Sequence, residues 1–266
     1  MYSKPTLALH YLRYLLTASN GRGHGIHSPF VYDFVEQVLN ARHRPEAFAR
    51  IEAYREALKR STEVLRVEDF GAGSAYGDTV ERPVSRIARH AAKPPRFGRL
   101  LYRLAEHYHC RTALELGTSL GISTAYLASV PGMERVLSIE GSPAIAAKAR
   151  SGLNGLGLSQ VELMVGNFDS VLPEALERLP SPDLVFIDGN HREEPTLRYF
   201  HQCLPVVHEE TILVFDDIHW SAEMASAWAT IKAHPQVRCT IDLFFIGIVV
   251  FRKAFREKQE FVIRYW

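Results

Sequence analysis

The sequence predicts an α/β fold built on a mostly parallel sheet, and three observations predict it. From residue 97 onward, short apolar runs alternate with helical stretches, as chains of βα units do. The runs Leu184–Ile187 and Val214–Phe215 are continuously apolar, which is the pattern of strands covered on both faces. A turn from Gly117 to Gly121 links one apolar run to the helix after it. Glycines there let the backbone come close to a ligand because neither carries a Cβ.

Taken in order, residues 1–20 form an amphipathic helix rich in Tyr and Leu. A loop, Asn20–Phe30, comes next, with three glycines and Arg22, His24 and His27; it either connects two helices or reaches the active site. Ser28 and Pro29 then make an N-cap and first-turn pair for a helix to Leu39. A third helix covers Glu46–Arg60. Val67–Gly77 is a second glycine-rich run, read as a loop or a lid, and Val84–Ala92 a basic helix. Lys93-Pro94-Pro95 marks a boundary, so residues 1–92 are a helical N-terminal extension and 93–266 the main domain. After a helix at Phe97–Tyr108, strands are expected at 112–116, 135–139, 161–165, 184–187, 211–215, 237–243 and 246–252. Helices are expected at 122–129, 143–153, 171–179, 194–204 and 221–234. The last two strands are joined by almost nothing, so they form an antiparallel hairpin.

Composition narrows the class. Apolar residues make up 47% and charged residues 23%, with a formal net charge of +1, so a packed globular protein is expected and a nucleic-acid partner is not. No apolar run reaches the ~20 residues of a membrane span, and no membrane association is expected. The apolar segment Leu7–Leu16 contains His10 and Arg13 with no cleavage pattern after it, so it is a helix and not a signal peptide. Cys110, Cys203 and Cys239 have no paired spacing; they are buried thiols of a cytoplasmic protein. A homo-oligomer is compatible with all of this.

Ligands of an open parallel sheet bind beyond the carboxyl ends of its strands. Five expected strands end there in Glu115–Gly117, Glu140–Gly141, Gly166–Asp169, Asp188–His191 and Asp216–His219. Glu140 lies 23 residues after Gly117, where a carboxylate can accept both hydroxyls of a ribose. That spacing decides between the two glycine-rich runs, because the run ending at Gly73 leads into a basic helix and not into a strand ending in an acid. Asn167 and Phe168 suit the edge and face of an adenine ring. Asp188, Asp216 and Asp217 would repel one another unless a cation or a proton intervenes, and oxygen ligands select a hard ion such as Mg²⁺. Alternatively Asp188 orders only the cofactor, and Asp217 or Ser221 caps the next helix. His191 and His219 flank the same acids and are the candidate general bases.

With the stretch Glu115–Ser123, then Ile139–Glu140, Phe186–His191 and Phe215–Asp217, the chain resembles the class I S-adenosylmethionine-dependent methyltransferases. Within them it is similar to the small-molecule O-methyltransferases of the catechol and caffeoyl-CoA kind, over about Phe97–Arg252. The resemblance implies a Rossmann-like, seven-stranded, mostly parallel sheet ending in an antiparallel hairpin. It implies S-adenosylmethionine as cofactor, its methionine part held by Glu115, Gly117, Thr118, Ser119 and Gly121, with Ser123 near its carboxylate. Glu140 would hold the ribose, and Asp188 would face both cofactor and metal. Asp188, Asp216 and Asp217 would hold Mg²⁺ or another hard divalent cation, although the family pairs Asp with Asn where this chain has Asp216-Asp217. The family's catecholic members carry a lysine as base three residues after the fourth-strand acid, where this chain has His191. The function implied is methyl transfer to an oxygen of a small-molecule acceptor, with a metal-independent or N-directed methyltransferase, or a non-catalytic cofactor binder, as alternatives. A nicotinamide-dependent oxidoreductase would need a tighter glycine turn.

Overall fold

The computed structural model describes residues 1–19, 21, 23, 27–68, 79–91 and 93–265. Most of the glycine-rich loops at 20–30 and 67–77, with the roles in the site or as a lid considered for them, lies outside the described residues. In chain order the elements begin with helices α1 (Lys4–Thr17), α2 (Pro29–Phe34, continued by a wider turn Val35–Leu39) and α3 (Glu46–Arg60). Strands β1 (Val64–Glu68) and β2 (Thr79–Pro83) come next, then α4 (Val84–Ala91) and α5 (Pro95–His107). The alternating part runs β3 (Thr112–Leu116), α6 (Ile122–Ala128), β4 (Arg135–Glu140), α7 (Pro143–Gly155), β5 (Val161–Val165), α8 (Phe168–Arg178), β6 (Leu184–Ile187), α9 (Glu193–Cys203), β7 (Ile212–Asp216) and α10 (Ala222–Ala233). Three strands close the chain: β8 (Cys239–Asp242), β9 (Ile246–Val250) and β10 (Gln259–Val262).

These elements sort into two compact units. In the unit Arg42–Leu179, β3, β4 and β5 lie parallel in that order, with Leu116 opposite Ile139 and Glu140 opposite Val165. Local chemistry starts its helices. The Ser142 hydroxyl accepts the Ile145 N–H at the head of α7, and Pro143 takes the first helical position, where it has no hydrogen bond to lose. In the other unit, Met1–Ala41 with Pro180–Trp266, the strand order is β10-β8-β9-β7-β6. β6 and β7 are parallel and every one of their residues is buried, as the apolar runs Leu184–Ile187 and Ile212–Phe215 require. β9 runs antiparallel to both β7 and β8. At Gly247 in β9 the Trp228 ring fills the place of a side chain: an added Cβ would stand 2.7 Å from it.

The seven anticipated strands are present, and three that were not anticipated join them. β10 extends the sheet in parallel with β8, pairing Gln259 with Cys239 through Val262 with Asp242. β1 and β2 form an antiparallel ribbon, so the segment 1–92 is not purely helical. The β-branched residues Val64 and Val67, just before the glycine-rich run, favour the strand that β1 forms there. The cap expected at α2 is positional only, because the Ser28 side chain makes no capping hydrogen bond.

Candidate functional site

In the unit Arg42–Leu179 the turn after β3 is shaped by left-handed backbone at Gly117 (φ 104°), Ser119 (φ 48°) and Gly121 (φ 77°). A Cβ at Gly121 would also press on Leu153 at 3.2 Å. The Glu140 carboxylate holds the turn in place. One oxygen accepts the Ser119 N–H at 2.8 Å and the other the Ser142 N–H at 3.0 Å. Burial raises the pKa of this carboxyl, opposed by those backbone bonds. Beneath it, the Thr118 and Ser138 hydroxyls lie 2.5 Å apart, and Ser138 and Thr124 both donate to Glu115. Thr118 and Glu115 are buried.

Burial pushes the Glu115 carboxyl above its usual range, opposed by the hydroxyls of Ser123, Ser138 and Thr124. A folded-state pKa above the unfolded one means that the stability contribution is complete below the unfolded value and is lost as pH rises through the folded one. Glu115→Gln keeps the shape and removes the titration. The melting temperature of the parent relative to this variant is expected to fall as pH rises above the ordinary carboxylate range; a constant difference would contradict the assignment.

Asn167 and Phe168 stand at the head of α8. Asn167 caps α8, its side-chain oxygen accepting the Asp169 N–H at 2.9 Å, and Phe168 is the first residue of that helix instead of a loop aromatic. A residue that the sequence did not single out supports the turn instead. Tyr54 of α3 donates its hydroxyl to the Leu120 carbonyl at 2.8 Å, and burial pushes its pKa up to about 12. Gly152 of α7 makes room for it, since a Cβ there would lie 2.0 Å from the Tyr54 oxygen. The only sequence signal was a glycine inside a helix.

In the unit containing β6 and β7, the strand ends bring Asp188, His191 and Asp216 together. One ligand atom from each lies within 4.8 Å of the other two. His191 Nε2 stands 3.6 Å from Asp188 Oδ1, and the left-handed backbone at Asn190 and His191 (φ 68° and 39°) belongs to this turn. Asp216 is buried, while Asp188 and His191 are partly exposed. Asp217, expected as a third acid, stands outside this close group. It takes a left-handed conformation (φ 53°) and opens a turn in which the Trp220 N–H bonds to its carbonyl. The helix after it is capped by Ser221, which accepts the Met224 N–H at 3.1 Å.

His219 is placed by a partner that the sequence did not suggest. Its Nε2 lies 2.7 Å from Asp242 Oδ2, which also accepts the Trp228 Nε1–H at 3.2 Å, while Asp242 Oδ1 accepts the Phe244 N–H at 2.8 Å. Asp242 is buried and satisfied on both oxygens, so one nitrogen of His219 is committed to structure. A lone acid within the apolar run Ile241–Ile248 was the available signal. Among the described residues His191 is the histidine that joins the acid group.

A family model described as "Methyltransferase domain" matches residues 114–218. A catechol O-methyltransferase of Niastella koreensis is 33% identical over 160 residues, covering 59% of this chain and 70% of that protein. A catechol O-methyltransferase of Mycobacterium tuberculosis is 31% identical, covering 57% and 71%. The chain belongs to the S-adenosylmethionine-dependent O-methyltransferases. Solved structures of lower identity share the fold of this methyltransferase. An O-methyltransferase from Bacillus cereus in complex with SAH gives a TM-score of 0.54 at 21% identity, over 83% of this chain and 97% of that one. The O-methyltransferase TomG from Streptomyces achromogenes in complex with SAM gives 0.56 at 20%, over 84% and 95%.

For this methyltransferase, Tyr54→Phe keeps the ring beside Gly152 and removes one buried hydrogen bond, worth about 1 kcal/mol. Binding of S-adenosylhomocysteine is expected to weaken by roughly fivefold through the loosened turn. Calorimetry showing an unchanged affinity would leave Tyr54 a packing residue only.

Proposed function

We propose that this methyltransferase moves a methyl group from S-adenosylmethionine to an oxygen of a small-molecule acceptor, with a divalent cation held at Asp188 and Asp216. The observation that carries the proposal is the close group of Asp188, His191 and Asp216 at the ends of β6 and β7. Its two carboxylates fit Mg²⁺ or Mn²⁺, and its imidazole stands beside them as the base. Asp217 would add charge nearby without joining the group. The turn fits the cofactor, being free of Cβ atoms at Gly117 and Gly121, where a methionine moiety can lie against Thr118 and Ser119. Glu115 and Ser123 stand behind that part, Glu140 takes the ribose, and Asn167 and Phe168 flank the adenine. Residues 93–266 carry the transfer chemistry and 1–92 are an addition to it.

Bound S-adenosylmethionine supplies a methyl group on a positively charged sulfur, and the C–S electron pair stays on sulfur when the methyl leaves. Asp188 and Asp216 would hold the cation, whose positive charge would lower the pKa of an acceptor oxygen beside it. His191 receives the proton that the acceptor gives up, on the imidazole nitrogen facing Asp188. Most of the rate gain comes from holding oxygen, methyl and sulfur in line at ~3 Å.

The test is calorimetric binding of S-adenosylhomocysteine and then methyl transfer to catechol, each with and without EDTA. Binding is expected to survive chelation and transfer to be lost. Absence of binding would refute the cofactor assignment, and transfer indifferent to EDTA would refute the cation.

A further inference from the structure

The first helix is held by one face and leaves an apolar ridge on the other. Tyr14 is buried, donates its hydroxyl to the Ile263 carbonyl at 2.5 Å and accepts the Tyr265 N–H at 3.1 Å. Tyr11 and Tyr14 pack on Phe244, at 4.9 and 5.2 Å between ring centres. After the helix, Ser19 bridges in parallel to Ile263. So anchored, α1 cannot turn its other face inward. On that face Leu9, Leu12 and Leu16 are 66%, 57% and 83% exposed, and Met1 just ahead of the helix is 84% exposed. Spacing of three and four residues puts the leucines on one side of the helix, in a line.

The charged side chains of α1 have one sign. Lys4 and Arg13 are the charged side chains of α1, both exposed, and the chain carries no Asp or Glu before Asp33. Arg264 continues the chain beside Ser19, its N–H bonding the Ser19 carbonyl. A second copy of the chain seated on this ridge would bring Lys4 and Arg13 against their own kind with no acid in either helix to meet them. An anionic surface meets them with opposite charge, and a single convex ridge of leucines suits a deformable apolar layer. No described helix is long and apolar enough to cross a membrane.

We propose that α1 is a membrane-surface anchor, which lays Leu9, Leu12 and Leu16 into the acyl boundary of an anionic lipid layer while Lys4 and Arg13 meet the headgroups. Both contributions are required. Apolar burial of three leucines is moderate in size, and each basic residue adds to it near an anionic surface and is weakened by salt. The anchor is independent of the transfer chemistry proposed above, since its residues are remote in sequence from both the glycine turn and the acid group.

The test is flotation of the full chain with vesicles of phosphatidylcholine alone or with about one third phosphatidylglycerol, alongside size-exclusion with light scattering. Binding to the anionic vesicles is expected, at least tenfold above the neutral ones and falling as salt is raised. Leu9→Ser/Leu12→Ser/Leu16→Ser is expected to reduce it at least tenfold, and Lys4→Glu/Arg13→Glu to remove the preference for anionic lipid. All the substituted side chains are exposed, so the melting temperature, measured in parallel, is expected to hold. Failure of the parent chain to float with either vesicle, or equal flotation of the leucine variant, would overturn the proposal. So would a dimer that the leucine variant converts to monomer while vesicle binding is absent, which would assign the ridge to a second copy.

Discussion

Glu140→Ala is expected to weaken S-adenosylhomocysteine binding by about a hundredfold, or roughly 3 kcal/mol. The structure gives this carboxylate two tasks. It accepts the Ser119 and Ser142 amides, one on each oxygen, and bonds from backbone N–H to a charged acceptor contribute about 1.5–3 kcal/mol each. In the proposed complex it also meets the ribose. Loss of the first task releases the left-handed Ser119 from its tether and so blurs the turn; loss of the second removes a direct contact. Glu140→Gln separates them, because one amide oxygen can still accept an N–H while its NH₂ group cannot. The glutamine variant is expected to fall between parent and alanine in calorimetry. If the alanine variant bound within twofold of the parent, the turn would not be the cofactor site.

Asp188→Ala is expected to lower kcat by about a thousandfold, near 4 kcal/mol of transition-state stabilisation, with cofactor affinity changed by less than about threefold. Asp188 is partly exposed, so its loss should not unfold the chain, whereas Asp216 is buried and its substitution mixes stability with chemistry. Asp217→Ala serves as the control. Because Asp217 stands outside the close group, its loss is expected to cost much less than that of Asp188. Calorimetric titration with Mn²⁺ gives an independent readout: Asp188→Ala should abolish the binding heat. Equal kinetic effects at 188 and 217 would restore the three-acid site that the sequence suggested. Loss of cofactor binding together with activity in Asp188→Ala would reassign it to ordering the cofactor.

The sheet was legible because it is written in local pattern. Strands such as Leu184–Ile187 are apolar throughout, and some helix starts carry their own chemistry, as at Ser142-Pro143 and Ser221. The strands that were not anticipated, β1, β2 and β10, have little buried surface of their own. The paired position of β10 is set by β8, and nothing in Gln259–Val262 announces it. The glycine turn and Glu140 were legible for a further reason: a βα unit fixes both the turn and the neighbouring strand tip at a constant distance along the chain.

What the sequence alone determined is thus the α/β class, the strand ends that carry chemistry and the spacing from Gly117 to Glu140. Those come from periodicity and from chain distance, which are local. Only the tertiary structure decided the company each side chain keeps. It put His191 with Asp188 and Asp216 and set Asp217 apart, it gave His219 to Asp242, and it brought Tyr54 through the gap at Gly152 to the Leu120 carbonyl. It also left Leu9, Leu12 and Leu16 outside a helix whose other face is filled by Phe244 and Ile263. Partners far apart in sequence are chosen by packing, and packing leaves no periodic trace in the chain.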